Sequence, residues 1–252
     1  MKFLIVTKKQ LMFCCALIAA VVVAVVGSVS IYASVERKLP IYGVKTEKKQ
    51  IAISFDAAWG NDDTETLIDI LKEYDVPATF FVVGAWVDKY PESVKQLFDA
   101  GHQIQNHSNT HPHMPQLSKV QMCDELKSGN DKIEAVTGVK PTLFRPPYGD
   151  YDNLMVEAAE SVKMQTIQWS VDSHDWMEKS TADSISDRVI SKVTNGSIVL
   201  FHNDARHTPA ALPKILKTLK EQGYEFVFIS DLIYTKNYHI DHSGMQCKDG
   251  VD

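Results

Sequence analysis

The chain has 252 residues, 44% hydrophobic and 23% charged, an ordinary globular composition with length enough for a real core. Its formal net charge of -6 argues against a nucleic-acid binder, which needs a basic face to neutralise phosphates, and favours a neutral polymer as partner. Its four cysteines show no CxxC or zinc-finger spacing. Cys14 and Cys15 lie in an apolar run, and Cys123 and Cys247 are read as free thiols, with one disulfide between them as the alternative.

In chain order, residues 1–10 carry Lys2, Lys8 and Lys9, and residues 11–33 contain no charged side chain. At about 1.5 Å rise per residue such a run crosses the ~30 Å hydrocarbon layer. The lysines before it place residues 1–10 in the cytoplasm and export everything after the span. The sequence therefore predicts a transmembrane signal anchor over 11–33; a cleaved secretory signal, with a secreted product, is the alternative. Residues 34–48, polar with Pro40 and Gly43, read as a linker.

From residue 49 short apolar runs alternate with helical stretches. Strands are predicted at 51–55, 78–83, 103–105, 142–144, 166–171, 197–201 and 225–229. Helices are predicted at 64–74, 91–100, 118–136, 153–161, 181–193 and 209–222. Gly101, Gly138, Gly196 and Gly223 each follow a helical stretch, where a left-handed stop residue belongs. Seven such alternations give an α/β, parallel barrel-like domain over 49–229, and the tail at 230–252 looks frayed.

In such barrels reactive groups project from the C-terminal ends of strands. Asp56 ends the first strand, Arg145 follows the fourth, Asp172 and Asp175 follow the fifth, and His202 follows the sixth. His107 and His111, flanking Ser-Asn-Thr beyond the third strand, suit one divalent metal of the zinc type with water in its open positions. Asp56 is placed to take a proton from a metal-activated water, and His202 to protonate a leaving group. Arg145, stiffened by Pro146 and Pro147, can brace a carboxylate bidentately.

The ordered set Ser54-Phe-Asp56, His107-Ser-Asn-Thr-His111, Arg145-Pro-Pro-Tyr-Gly149, Asp172-Ser-His-Asp-Trp176 and Leu200-Phe-His202 resembles the five motifs of the NodB-type polysaccharide deacetylases. The resemblance implies a distorted (β/α)7–8 barrel that removes N- or O-acetyl groups from polysaccharides with one divalent metal. Zinc is the first choice, with cobalt, manganese or nickel as alternatives. It makes Asp56 the general base, His107 and His111 metal ligands, and His202 the general acid. Arg145 positions Asp56, Asp175 pairs with His202, and Asp172 is the second choice for that partner. The Tyr148 backbone N–H helps hold the oxyanion, and Trp176 and Leu200 wall the acetyl pocket. The anchor, Phe55-Asp-Ala-Ala-Trp-Gly60 and His111-Pro-His-Met-Pro-Gln-Leu-Ser118 further resemble the membrane-anchored, sporulation-associated branch, implying peptidoglycan as substrate. One position departs: the family's second aspartate, its third metal ligand, is here Ala57. An O-acetyl esterase, which needs the same centre but a weaker acid, is one alternative to an N-deacetylase, and the loss at Ala57 makes a weakly catalytic glycan-binding protein another. Asp62 or Asp63 swinging back is the one rescue the sequence offers, against their ordinary use as helix caps.

Overall fold

The computed structural model describes residues 7–32 and 37–250. The chain forms two compact units, Met1–Arg37 and Lys38–Asp252. The first contains helix α1 (Lys8–Tyr32), whose apolar side chains from Leu11 to Val22 are solvent-exposed within the chain. Among the described residues no helix is long and apolar enough to cross a membrane. The span expected over 11–33 lies partly outside those residues.

The second unit is built on parallel strands β2 (Gln50–Ala57), β3 (Ala78–Val82), β4 (Gln103–Asn106), β5 (Leu143–Phe144), β6 (Gln165–Thr166), β7 (Val171–Asp172) and β8 (Ile198–His202), in the order β6-β5-β4-β3-β2-β8-β7. Strand β9 (Glu225–Phe226) joins the start of β2. Laid flat, seven strands would put the two edges about 29 Å apart. Yet the edge strands β6 and β7 are successive in the chain, and Thr166 to Val171 reaches at most about 18 Å. The sheet is therefore forced to curl into an incompletely closed barrel. Beside the β6 edge Ile41 inserts, donating its N–H to Thr166 and accepting from Gln168, which blunts the open seam.

That seam corrects the sequence reading of one strand over 166–171: its ends belong to opposite edges of the sheet, which apolar patterning cannot distinguish. Helices α2 (Thr64–Glu73), α4 (Pro91–Asp99), α5 (Lys119–Thr137), α6 (Asn153–Ser161), α7 (Ala182–Lys192) and α8 (Thr208–Glu221) surround the sheet. A short α3 (Gly84–Lys89) and an α9 (Ile229–Leu232) also form, so the run predicted as strand to residue 229 turns helical at its end. Ser118 caps α5 with a full capping box, and Gly138 stops it at φ +71°.

Alternation along β2 sorts its side chains. Ile51, Ile53, Phe55 and Ala57 join the outer apolar layer with α2 and α8, whereas Ala52, Ser54 and Asp56 face the barrel interior. The compact unit begins earlier and ends later than the expected 49–229. Ile41 and Val44 are buried, and β1 (Gly43–Val44) pairs with β11 (Met245–Lys248), itself paired with β10 (Tyr238–Ile240). The segment expected as linker and the tail expected to fray thus stabilise each other, because each supplies the strand the other lacks. All four cysteines are free.

Candidate active site

The C-terminal rim of the barrel gathers the motif residues around a cavity of about 390 Å³, lined by Asp56, His107, His111, Tyr148, Trp176, Leu200 and His202 among others. Asp56 and His202 are register partners on the adjacent strands β2 and β8, so the parallel ladder itself sets them side by side.

Asp56 is nearly buried, its Oδ1 accepting from Arg145 Nη1 at 2.8 Å and its Oδ2 lying 3.6 Å from His107 Nε2. Burial pushes its pKa up, but the positive charge of Arg145, followed by the electrostatic influence of the His107 and His202 rings, outweighs this and holds the carboxyl below its ordinary value. Arg145 is wholly buried and lies over the Phe81 ring at 4.2 Å. It does not grip Asp56 bidentately as expected. Its second arm, Nη2, donates to Ser54 Oγ at 2.9 Å and to the Gln168 carbonyl at 3.1 Å, because Ser54 sits two residues before Asp56 on the same strand face. Ser54 and Gln168 are thus site residues that sequence reasoning missed; the two-residue period pointed to the first, and nothing local pointed to the second.

The His107–His111 segment is a loop, not a helical turn. Ser108 and His111 have φ of +68° and +62°, and the Ser108 hydroxyl accepts the His111 N–H. Glu125 on α5 accepts three bonds from Asn109 and Thr110 and fastens the loop to the helix. The two imidazole rings stand 5.0 Å apart, edge to face. His107 Nδ1 donates to the Arg145 carbonyl at 2.8 Å, which leaves the Nε2 lone pair facing the cavity. His111 Nδ1 is buried without a partner. Burial lowers the pKa of both rings, that of His111 to about 4, so both are neutral donors at pH 7. Two donors of the right kind and protonation are therefore present.

A third protein donor is not. Among the described residues no group of three or more His, Cys, Asp or Glu is arranged to hold a metal ion. Ala57 is fully buried in the outer apolar layer. Asp63 makes no side-chain cap on α2, contrary to expectation, and its Oδ2 accepts the Asp204 N–H at 2.8 Å. The residues present fit an ion held by two imidazoles and solvent.

His202 and Asp175 form the second half of the site. His202 Nδ1 lies 2.8 Å from Asp175 Oδ1, while Asp175 Oδ2 accepts from the His202 N–H and from Thr208 Oγ1. Burial acts to lower the His202 pKa, but the hydrogen bond and charge of Asp175 overcome it and raise the pKa above the ordinary value. Asp172 does not take that partner role: its Oδ1 accepts the His174 N–H, and Arg188 donates to its carbonyl. Leu200 is buried at the cavity wall, whereas Trp176 is 60% exposed at its mouth. Tyr148, at φ +60°, is gripped edge-on by His111 and face-on by His113, whose Nδ1 lies 2.5 Å from Asp150 Oδ2.

The family model for polysaccharide deacetylases matches residues 43–167. The uncharacterised protein YlxY of Bacillus subtilis is 34% identical over 77% of this chain and 60% of its own length. A peptidoglycan-N-acetylglucosamine deacetylase of Bacillus cereus is 36% identical over 77% of this chain and 92% of its own. Among solved structures, BA3943, a CE4 family pseudoenzyme from Bacillus anthracis, is 39% identical with TM-score 0.74, covering 77% of this chain and 68% of that one. A BA3943 mutant with restored enzymatic activity is 40% identical with the same TM-score, covering 77% and 70%. The chain spans 60% of YlxY and about 40% of peptidoglycan deacetylases of Listeria monocytogenes and Bacillus subtilis that it also matches, against 92% of the Bacillus cereus protein.

Proposed function

This chain belongs to the polysaccharide deacetylase family, and we propose that it hydrolyses N-acetyl groups on the amino sugars of cell-wall peptidoglycan. The observation that carries the reading is a pair of groups on one cavity tuned in opposite directions: the Asp56 carboxyl, held below its ordinary pKa by Arg145, and the His202 imidazole, hydrogen-bonded to Asp175 and held above its own. Amide hydrolysis needs both, one to accept the proton of the attacking water and one to protonate an amine that otherwise leaves poorly.

Arg145 holds Asp56 at Oδ1, so Oδ2 is the oxygen that receives the proton. Beside it His202, with Asp175 fixing Nδ1–H, presents Nε2–H to the departing nitrogen. Tyr148 contributes its backbone N–H to the oxyanion, and Leu200 and Trp176 confine the acetyl methyl. His107 and His111 would hold a divalent ion, zinc by donor preference with cobalt, manganese or nickel as alternatives; when bound, it supplies Lewis-acid polarisation of the acetyl carbonyl. The charge-free run at 11–33 after Lys8 and Lys9 supports a single-pass anchor with the domain outside the cytoplasm, where cell-wall polymer lies. The likeness to the sporulation-associated branch supports a role in spore formation.

Acetate release from N-acetylglucosamine oligomers and from peptidoglycan by the full-length chain, with and without added Zn²⁺ or Co²⁺, tests the activity. Absence of release from the folded protein under every condition refutes it. One observation favours a second reading, a glycan-binding protein with little turnover: the two-imidazole site has no third protein donor among the described residues. Glycan binding that persists in Asp56→Asn and His202→Ala, with neither they nor the native chain releasing acetate, decides for that reading. Faster release from an O-acetylated ester than from the amide decides instead for the esterase.

A further inference from the structure

Trp59 lies outside every role assigned so far, yet its indole is 62% exposed on a backbone that is held with unusual firmness. Asn203, buried directly after His202, accepts the Ala58 N–H at 3.2 Å and donates Nδ2 to the Gly60 carbonyl, so it bolts the residues on both sides of Trp59. The same Gly60 carbonyl accepts the buried Trp86 Nε1–H at 2.9 Å. A Cβ at Gly60 would stand 2.5 Å from Asp204 Oδ2, so Asp204 would have to shift to admit a side chain there. A large apolar ring in water gains nothing from such anchoring in the isolated protein. A rigid exposed aromatic beside a cavity is instead what binding hot spots are made of.

The ring's position gives the ligand. Trp59 meets His111 edge-on at 5.6 Å and lines the catalytic cavity, and it also lines an adjoining cavity of about 270 Å³ that reaches Arg206 and His207. Trp176 and His202 line both cavities as well. Two exposed indoles at the junction of two ring-sized spaces suit the apolar faces of successive pyranose rings, one in each cavity. We infer that Trp59 is a substrate-positioning residue that stacks on the sugar chain where it passes from the catalytic cavity into the adjoining one, and that Asn203 sets its orientation. This rests on the deacetylase reading.

The test is calorimetric titration of N-acetylglucosamine tetramer into the full-length native chain and its Trp59→Ala, Trp59→Phe and Asn203→Ala variants, with acetate release and zinc affinity measured alongside. Loss of one aromatic stack predicts tetramer binding about ten-fold weaker in Trp59→Ala. KM should rise in step and kcat stay near native, with Trp59→Phe recovering most of the loss and Asn203→Ala showing a smaller one. Zinc affinity should not change. Tetramer affinity equal to native in Trp59→Ala overturns the inference and leaves the deacetylase reading standing. A fall in zinc affinity, or in kcat at constant KM, overturns it too, since the ring would then act by orienting His111. A folded native chain that neither binds nor hydrolyses the tetramer overturns both.

Discussion

The substitution Ala57→Asp separates a site short of one ligand from a site built differently. Ala57 follows Asp56 at the end of β2, is 0% exposed and clusters with apolar neighbours such as Phe55 and Val82. A carboxylate placed there without an ion is a buried uncompensated charge, costing about 3 kcal/mol or more. At roughly 2–4 °C per kcal/mol for a domain of this size, Tm in chelator falls by about 6–12 °C. If the introduced carboxylate reaches the ion between His107 and His111, zinc at a hundred times Kd returns about 2.7 kcal/mol, or about 5–11 °C. A partner one bond removed from a metal already changes its affinity by about 10–100-fold, so a direct ligand should tighten zinc binding by at least that. Thermal melts in chelator and across a zinc series, with zinc titration calorimetry, measure both effects. A variant as destabilised as expected in chelator, but showing no more zinc stabilisation than the native chain, refutes the depleted-ligand argument. The new side chain would then point into the apolar layer.

Asp175→Asn removes the charge that raises the His202 pKa, so the alkaline limb of the acetate-release profile should move to lower pH and kcat at pH 7 fall by about 10²–10³-fold; an unmoved limb refutes the pairing role. The same raised pKa gives stability that is fully present below the unfolded His value and is lost as pH rises through the folded one, so the native chain's Tm advantage over Asp175→Asn should shrink across that window. Arg145→Met leaves Asp56 buried and unpaired and should cost about 3–5 kcal/mol, read as a lowered urea midpoint. His102 is buried with neither ring nitrogen bonded, and burial lowers its pKa to about 4. Stability should therefore fall as pH drops from about 6.5 towards 4, by roughly 3 kcal/mol, and His102→Leu should flatten that part of the Tm–pH curve. Gly196→Ala puts a methyl on a residue at φ +77° and into the Val44 carbonyl, and should lower Tm by more than the about 1–2 kcal/mol of left-handed strain alone implies.

Local chemistry carried much of this protein openly in its residue order. The strand at 50–57 and the helix at 153–161 follow from short-range patterning, and the glycines at 101, 138 and 223 stop their helices at positive φ, because such stops depend on one residue's own sterics; Gly196, also at positive φ, instead lies in the turn before β8, since α7 ends at an extended Val193. Asp56, Arg145 and His202 were legible because a parallel barrel sends strand ends to one rim, whatever its detailed shape. Three-dimensional closure decided the remainder. Which edge each half of 165–172 joins, and the pairing of Gly43–Val44 with Met245–Lys248, depend on partners more than a hundred residues away in sequence or on the curl of the whole sheet. The division of Arg145 between Asp56, Ser54 and Gln168, and the bolting of Trp59 by Asn203, likewise depend on contacts across the barrel. Periodicity reports which face of an element is apolar, but it carries no information about which distant backbone or side chain will complete a hydrogen bond there.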